Sequence, residues 1–143
     1  MTPTETPVIS QVEQLLAEDG YEVTEIGNDV LRVRDLETGI AFQAALQANV
    51  LLMSVVLQTC PTPEITPAMM KAMLSAENGI STSSFQLYDT GDGKTAVTLN
   101  NFCTLQNMGA EDKDDILSLA SYLMADVVVA RDVLAAGRPA AQA

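Results

Sequence analysis

The stretch Asn49–Thr59, which reads Asn-Val-Leu-Leu-Met-Ser-Val-Val-Leu-Gln-Thr, restricts the fold of this chain more than any other. It is the most apolar run, rich in Val and Leu, and Cys60-Pro61-Thr62-Pro63 follows it directly. A membrane-spanning helix needs about 20 apolar residues, and this run is too short for one. Its β-branched content and the Pro stop predict a strand in the middle of a sheet. A strand apolar on both faces needs cover on at least one of them, and three helical segments are available to supply it.

Before that run, Val8, Ile9, Val12, Leu15 and Leu16 recur at helical spacing, and Asp19-Gly20 closes the helix. Two short alternating runs follow, Tyr21 to Ile26 and Val30 to Leu36, with Gly27-Asn28-Asp29 between them as a hairpin turn. In the second run Leu31 and Val33 point one way and Arg32 and Arg34 the other, so one face is wet. Ile40 to Leu46 is a third strand, and short connections between consecutive strands predict an antiparallel meander.

After the Pro-rich stop, Thr66 is a plausible N-cap with Pro67 at the first helical position, and Ile65 can staple onto Met70. Met69, Met70, Met73 and Leu74 give that helix its apolar side, and Asn78-Gly79 ends it. Two more strands, Ser83 to Tyr88 and Thr95 to Leu105, precede the longest element. Glu111, Asp112, Asp114 and Asp115 lie in its first turn, where the helix dipole favours negative charge, and they read as a solvated helix start. Dense apolar positions from Ile116 to Leu134 then predict a helix buried over much of its circumference. The predicted fold is α+β, with a single antiparallel sheet and the order α-β-β-β-β-α-β-β-α. Residues 1–7 read as a loose lead, 8–137 as one domain and 138–143 as a tail.

Nineteen acidic against seven basic residues leave a formal net charge of −12, and the basic residues are scattered. Nucleic-acid binding needs clustered Lys and Arg to displace counterions, so no nucleic-acid partner is expected, and no anionic membrane surface either. There is no histidine, which removes the commonest general base and metal ligand. Cys60 and Cys103 lie far apart, in no metal spacing, and no secretory signal is visible at the start, so free thiols in a cytoplasmic protein are expected.

Gly91-Asp-Gly-Lys-Thr95 matches only the end of a phosphate-binding loop. Tyr88 occupies the position of the first glycine, and a strand follows where a helix must open. From Asp89 the third and fifth positions are glycines, so a calcium loop fails as well. No G-x-S-x-G elbow occurs. No catalytic residue, metal site or cofactor is expected. The methionine-rich helix is different. Flexible thioethers suit adaptable apolar surfaces, although they are also ordinary core filler. Met69, Met70, Lys71 and Met73 are the candidate partner-binding residues, with an outward Met beside Lys71 as the edge of a dimer or client surface.

Several features together resemble the YbjN-like group of bacterial proteins, whose fold is similar to that of the class I type III secretion chaperones. The carrying residues are Asp19-Gly20-Tyr21 with Val23, Asp29-Val-Leu-Arg-Val33, and Phe42 and Leu46 ahead of Leu51 to Leu57. Ser84-Phe85-Gln-Leu-Tyr-Asp89 with Gly91, and Thr104-Leu105 before the last helix, complete the pattern. The similarity spans Val8 to Leu134 and departs from the group at the central helix, where an Asn-rich segment is the pattern. A YjfI-like group of unknown function is the second resemblance, through Leu119-Ala-Ser-Tyr-Leu123 and Asp126-Val127 with Ala130. The first resemblance implies an acidic, homodimeric, non-enzymatic binding protein with a chaperone-like or regulatory role and a protein client. The alternative from another class is a small-molecule-binding or enzymatic domain, using a cleft between the sheet and the long C-terminal helix.

Overall fold

The computed structural model describes residues 7–137. The order is α1 (Ile9–Glu18), β1 (Glu22–Gly27), β2 (Val30–Arg34), β3 (Ala41–Gln47), β4 (Val50–Pro61), α2 (Pro67–Leu74), β5 (Ser84–Asp89), β6 (Lys94–Thr104) and α3 (Ala110–Gly137). A single 3-10 turn, Thr62–Glu64, joins β4 to α2. The six strands form one antiparallel sheet in the order β1-β2-β3-β4-β6-β5, so the fold is α+β as the residue pattern predicts. The first four strands are the expected meander. β6 then returns to the far side of β4, and β5 takes the edge. The lead before Pro7 and the tail after Gly137 lie outside the described residues.

The apolar run is the central strand. One set of its alternate residues, Leu51, Met53 and Val55, lies in the core together with Leu31, Val33, Phe42 and Leu99. All three helices contribute to this side of the sheet. α1 supplies Val12 and Leu16, and α3 supplies Ile116, Leu123 and Val127, all fully buried. A second, smaller cluster joins Ile65, Met69 and Met73 of the α2 region to Val97 and Leu134. α2 and α3 approach closely there: a Cβ at Gly137 would stand 2.8 Å from the Met69 Cα, so only glycine fits.

Thr66 caps α2 as expected, its Oγ1 accepting from the Met69 N–H at 3.2 Å. The acidic start of α3 differs from expectation at one residue. Asp112 is buried at 4% exposure instead of solvated, and its Oδ2 accepts the N–H groups of Gln106, Asn107 and Met108 at 2.7, 2.9 and 2.8 Å. These three donors belong to the connection entering the helix, and a carboxylate can satisfy all of them where a dipole alone could not. Met108 sits there at φ 57°, a left-handed conformation that the carboxylate helps to hold. Glu111, Asp114 and Asp115 remain exposed.

Candidate functional site

The face of the sheet turned away from the helices is the candidate site. Pairing register fixes its composition, because residues directly opposite one another point to the same side. One polar row crosses all six strands: Thr24, Arg32, Gln43, Ser54, Asn100 and Ser84. Beside it runs an apolar row, Ala45, Leu52 and Phe102. Val56 and Tyr88 belong to the same side. Phe102 is 65% exposed and Val56 61%, unusual for an aromatic and a β-branched residue on central strands. Two depressions flank the polar row. One, of about 340 Å3, is lined by Ile26, Arg32, Gln43 and Val56; the other, of about 300 Å3, by Leu52, Gln86, Tyr88 and Phe102.

The electrostatics of this face are set apart from the rest of the molecule. The chain carries nineteen carboxylate side chains. Among the described residues, none occupies an outward position on β2, β3, β4, β5 or β6, and Arg32, Arg34 and Lys94 do. The single outward carboxylate of the sheet is Glu22 on β1, opposite Arg34. The face holds hydrogen-bonding amides, hydroxyls, two guanidinium groups and apolar side chains. It offers no imidazole, and its one carboxylate, Glu22, stands at the β1 edge opposite Arg34.

The Met-rich helix is placed differently from residue to residue. Met69 and Met73 are buried, at 1% and 4% exposure, inside the second cluster. Met70 packs on the margin of that cluster, and Lys71 is exposed. Leu74, at 81% exposure, is the most open apolar residue nearby. The structure therefore leaves Met70 and Lys71, without Met69 and Met73, on the surface.

The space between the sheet and α3 is occupied by Leu51, Met53, Leu99, Leu123 and Val127, and Arg32 and Arg34 lie on the opposite face. Asn101 interrupts this apolar layer: it is 3% exposed, its Nδ2 donates to the Leu119 carbonyl at 3.0 Å, and its Oδ1 has no partner. Gly91-Asp-Gly-Lys-Thr95 lies at the β5–β6 hairpin turn, with Gly91 and Gly93 both at positive φ. No three His, Cys, Asp or Glu side chains converge to hold a metal among the described residues.

Asp126 is the residue that periodicity alone does not pick out. It is on α3, 3% exposed, and clamps the segment entering β5. Its carboxylate accepts the Ser81 and Thr82 N–H groups at 3.2 and 3.1 Å, and the hydroxyls of Ser81, Thr82 and Ser83 at 3.1, 3.2 and 2.8 Å. Burial pushes its pKa up, but the Ser81 and Thr82 N–H groups and the Ser83 and Ser81 hydroxyls outweigh burial and hold it below the ordinary carboxylate value. The sequence signal is a lone Asp within an apolar stripe, facing a Ser-Thr-Ser segment far away along the chain. Cys103 is half-buried, and burial, with Asp115 and Asp112 adding to it, pushes its thiol up to about 11. That makes it a poor nucleophile at neutral pH.

No known family model matches the chain, and no curated protein matches it. Among solved structures it is similar to the crystal structure of YbjN from E. coli, described there as a candidate transcription regulator. The TM-score is 0.67 at 18% identity, over 92% of this chain and 95% of that one. The fold is YbjN-like, as the residue pattern implies, and at this identity the likeness is one of fold. Among the described residues no helix is long and apolar enough to cross a membrane.

Proposed function

We propose that this chain is a non-enzymatic, protein-binding module with a regulatory or chaperone-like role, working as a cytoplasmic homodimer. The observation that carries this reading is the open sheet face: exposed Phe102, Val56, Leu52 and Tyr88 around a polar row, free of carboxylates on five strands of a strongly acidic protein. An exposed apolar surface rimmed by polar groups is characteristic of contact with another protein. The regulatory description attached to YbjN agrees with that role. Protein is favoured over nucleic acid as the partner because a −12 chain repels phosphates and three cations on one face do not reverse that.

The reading is tested by a tagged pull-down from lysate of the native organism, comparing wild type with Phe102→Asp, Val56→Asp and Met70→Asp. The expected outcome is one dominant partner, retained by wild type and lost from Phe102→Asp and Val56→Asp while circular dichroism shows both still folded. Loss with Met70→Asp alone moves the contact to α2. Equal retention by all four proteins, or no partner above background, overturns the reading.

A further inference from the structure

The two edges of the sheet are protected very unequally. An edge strand exposes unpaired N–H and C=O groups, and proteins guard such edges with charge, proline or bulges. β1 has two of these guards: Glu22 and Glu25 within the strand, and a bulge between Glu25 and Gly27. β5 has none over Ser84–Tyr88. It carries no charge, no proline and no irregularity in its ladder with β6, and its first charged residue is Asp89 at the very end. Leu87 and Tyr88 are 42% and 50% exposed on it.

We infer that β5 pairs antiparallel with β5 of a second copy of this chain, about a two-fold axis through Gln86, joining two six-stranded sheets into one. This deepens the homodimer part of the proposed function and rests on it. A two-fold axis perpendicular to a sheet keeps both faces in register, so residue 86 faces its own counterpart. That register sets Phe85 against Leu87 of the second copy on the helix side, and Ser84 against Tyr88 on the open side. Asp89 then faces Ser83, and no carboxylate stands opposite another. The same operation on β1, about Thr24, puts two glutamates from each strongly acidic chain along the seam and makes the two Glu25 side chains diagonal neighbours on one face, which is unfavourable. Self-pairing at β5 also joins the two open faces at the edge furthest from Glu22, doubling the surface that carries Phe102 and Tyr88 outward.

The test is sedimentation equilibrium of the full chain over a wide concentration range, with Leu87→Lys and Gln86→Cys as variants. Wild type is expected to show monomer and dimer, and Leu87→Lys to weaken the dimer at least tenfold with unchanged circular dichroism. Mild oxidation of Gln86→Cys is expected to cross-link two copies of the peptide that carries the substitution, identified by mass spectrometry, since directly opposed Cβ atoms lie within disulfide reach. Thr24→Cys on β1 is expected to yield no such cross-link. A dimer unaffected by Leu87→Lys, with no cross-link from Gln86→Cys, overturns β5 pairing and leaves the homodimer standing. A monomer at every concentration overturns both. Binding of a synthetic Lys- and Val-rich extended peptide by the monomer, abolished by Leu87→Lys, replaces self-pairing with a foreign strand at this edge.

Discussion

The two faces of the sheet are built by the same strands from alternate residues, yet they have little else in common. Along β4, Leu51, Met53 and Val55 are essentially inaccessible, while their neighbours Leu52 and Val56 are 37% and 61% exposed. The helix side is aliphatic and closed. The open side mixes large apolar groups with amides and guanidinium groups. Burial of apolar area stabilises the fold on one side only. The apolar groups on the other side add little to stability and are free to serve contact.

That contrast can be broken most sharply at adjacent residues. Leu51→Ala is expected to destabilise by about 2–5 kcal/mol through lost transfer energy and the cavity left behind. Leu52→Ala, one residue along, is expected to cost less than about 1 kcal/mol, since it leaves no enclosed void. Urea denaturation of the two variants measures the difference, and equal losses would mean the open face is covered in solution.

Asp126→Ala is the next largest effect, at about 2 kcal/mol, because it strips acceptors from two backbone N–H groups and three hydroxyls. The pH dependence has a definite sign. A carboxyl held below its unfolded value of about 3.9 contributes stability above that pH and loses it as pH falls through the folded value. The stability gap between wild type and Asp126→Asn is therefore expected to be full at neutral pH and to narrow under acid. A gap constant with pH would show that the carboxylate charge is not what holds residues 81–83. The smallest effect is at the β3–β4 turn, where Ala48 has φ 54°. Ala48→Gly is expected to raise stability by about 0.5 kcal/mol in the same urea titration, the relief of strain being partly offset by the entropy of glycine.

Much of this architecture was legible in the sequence because it rests on local periodicity. Every helix and strand, their order and the Thr66 cap follow from spacing of apolar residues and from turn chemistry. The alternation of Arg32 and Arg34 with Leu31 and Val33 already separates a wet face from a dry one. What could not be read is what depends on long-range register. Phe102 opposes Leu52 only because β6 returns beside β4, and no local pattern sets that pairing. Asp112 and Asp126 look like surface acids until a distant or preceding segment presents its donors to them. The methionine trio divides between inside and outside because α2 lies against Gly137, which is likewise invisible to periodicity.

The longest ladder, β4 with β6, has a consequence for how the molecule assembles. Strands β1 to β4 are each joined to the next by a short turn, so the meander closes through small loops at low entropic cost. β6 reaches β4 only after α2 and β5 have been traversed, and it pairs along the whole strand, from Val50 opposite Thr104 to Pro61 opposite Lys94. Non-local pairing of this kind is slow relative to hairpin formation. While it is pending, the most apolar strand of the chain has one unpaired edge, and the nascent half-sheet is the species most exposed to aggregation.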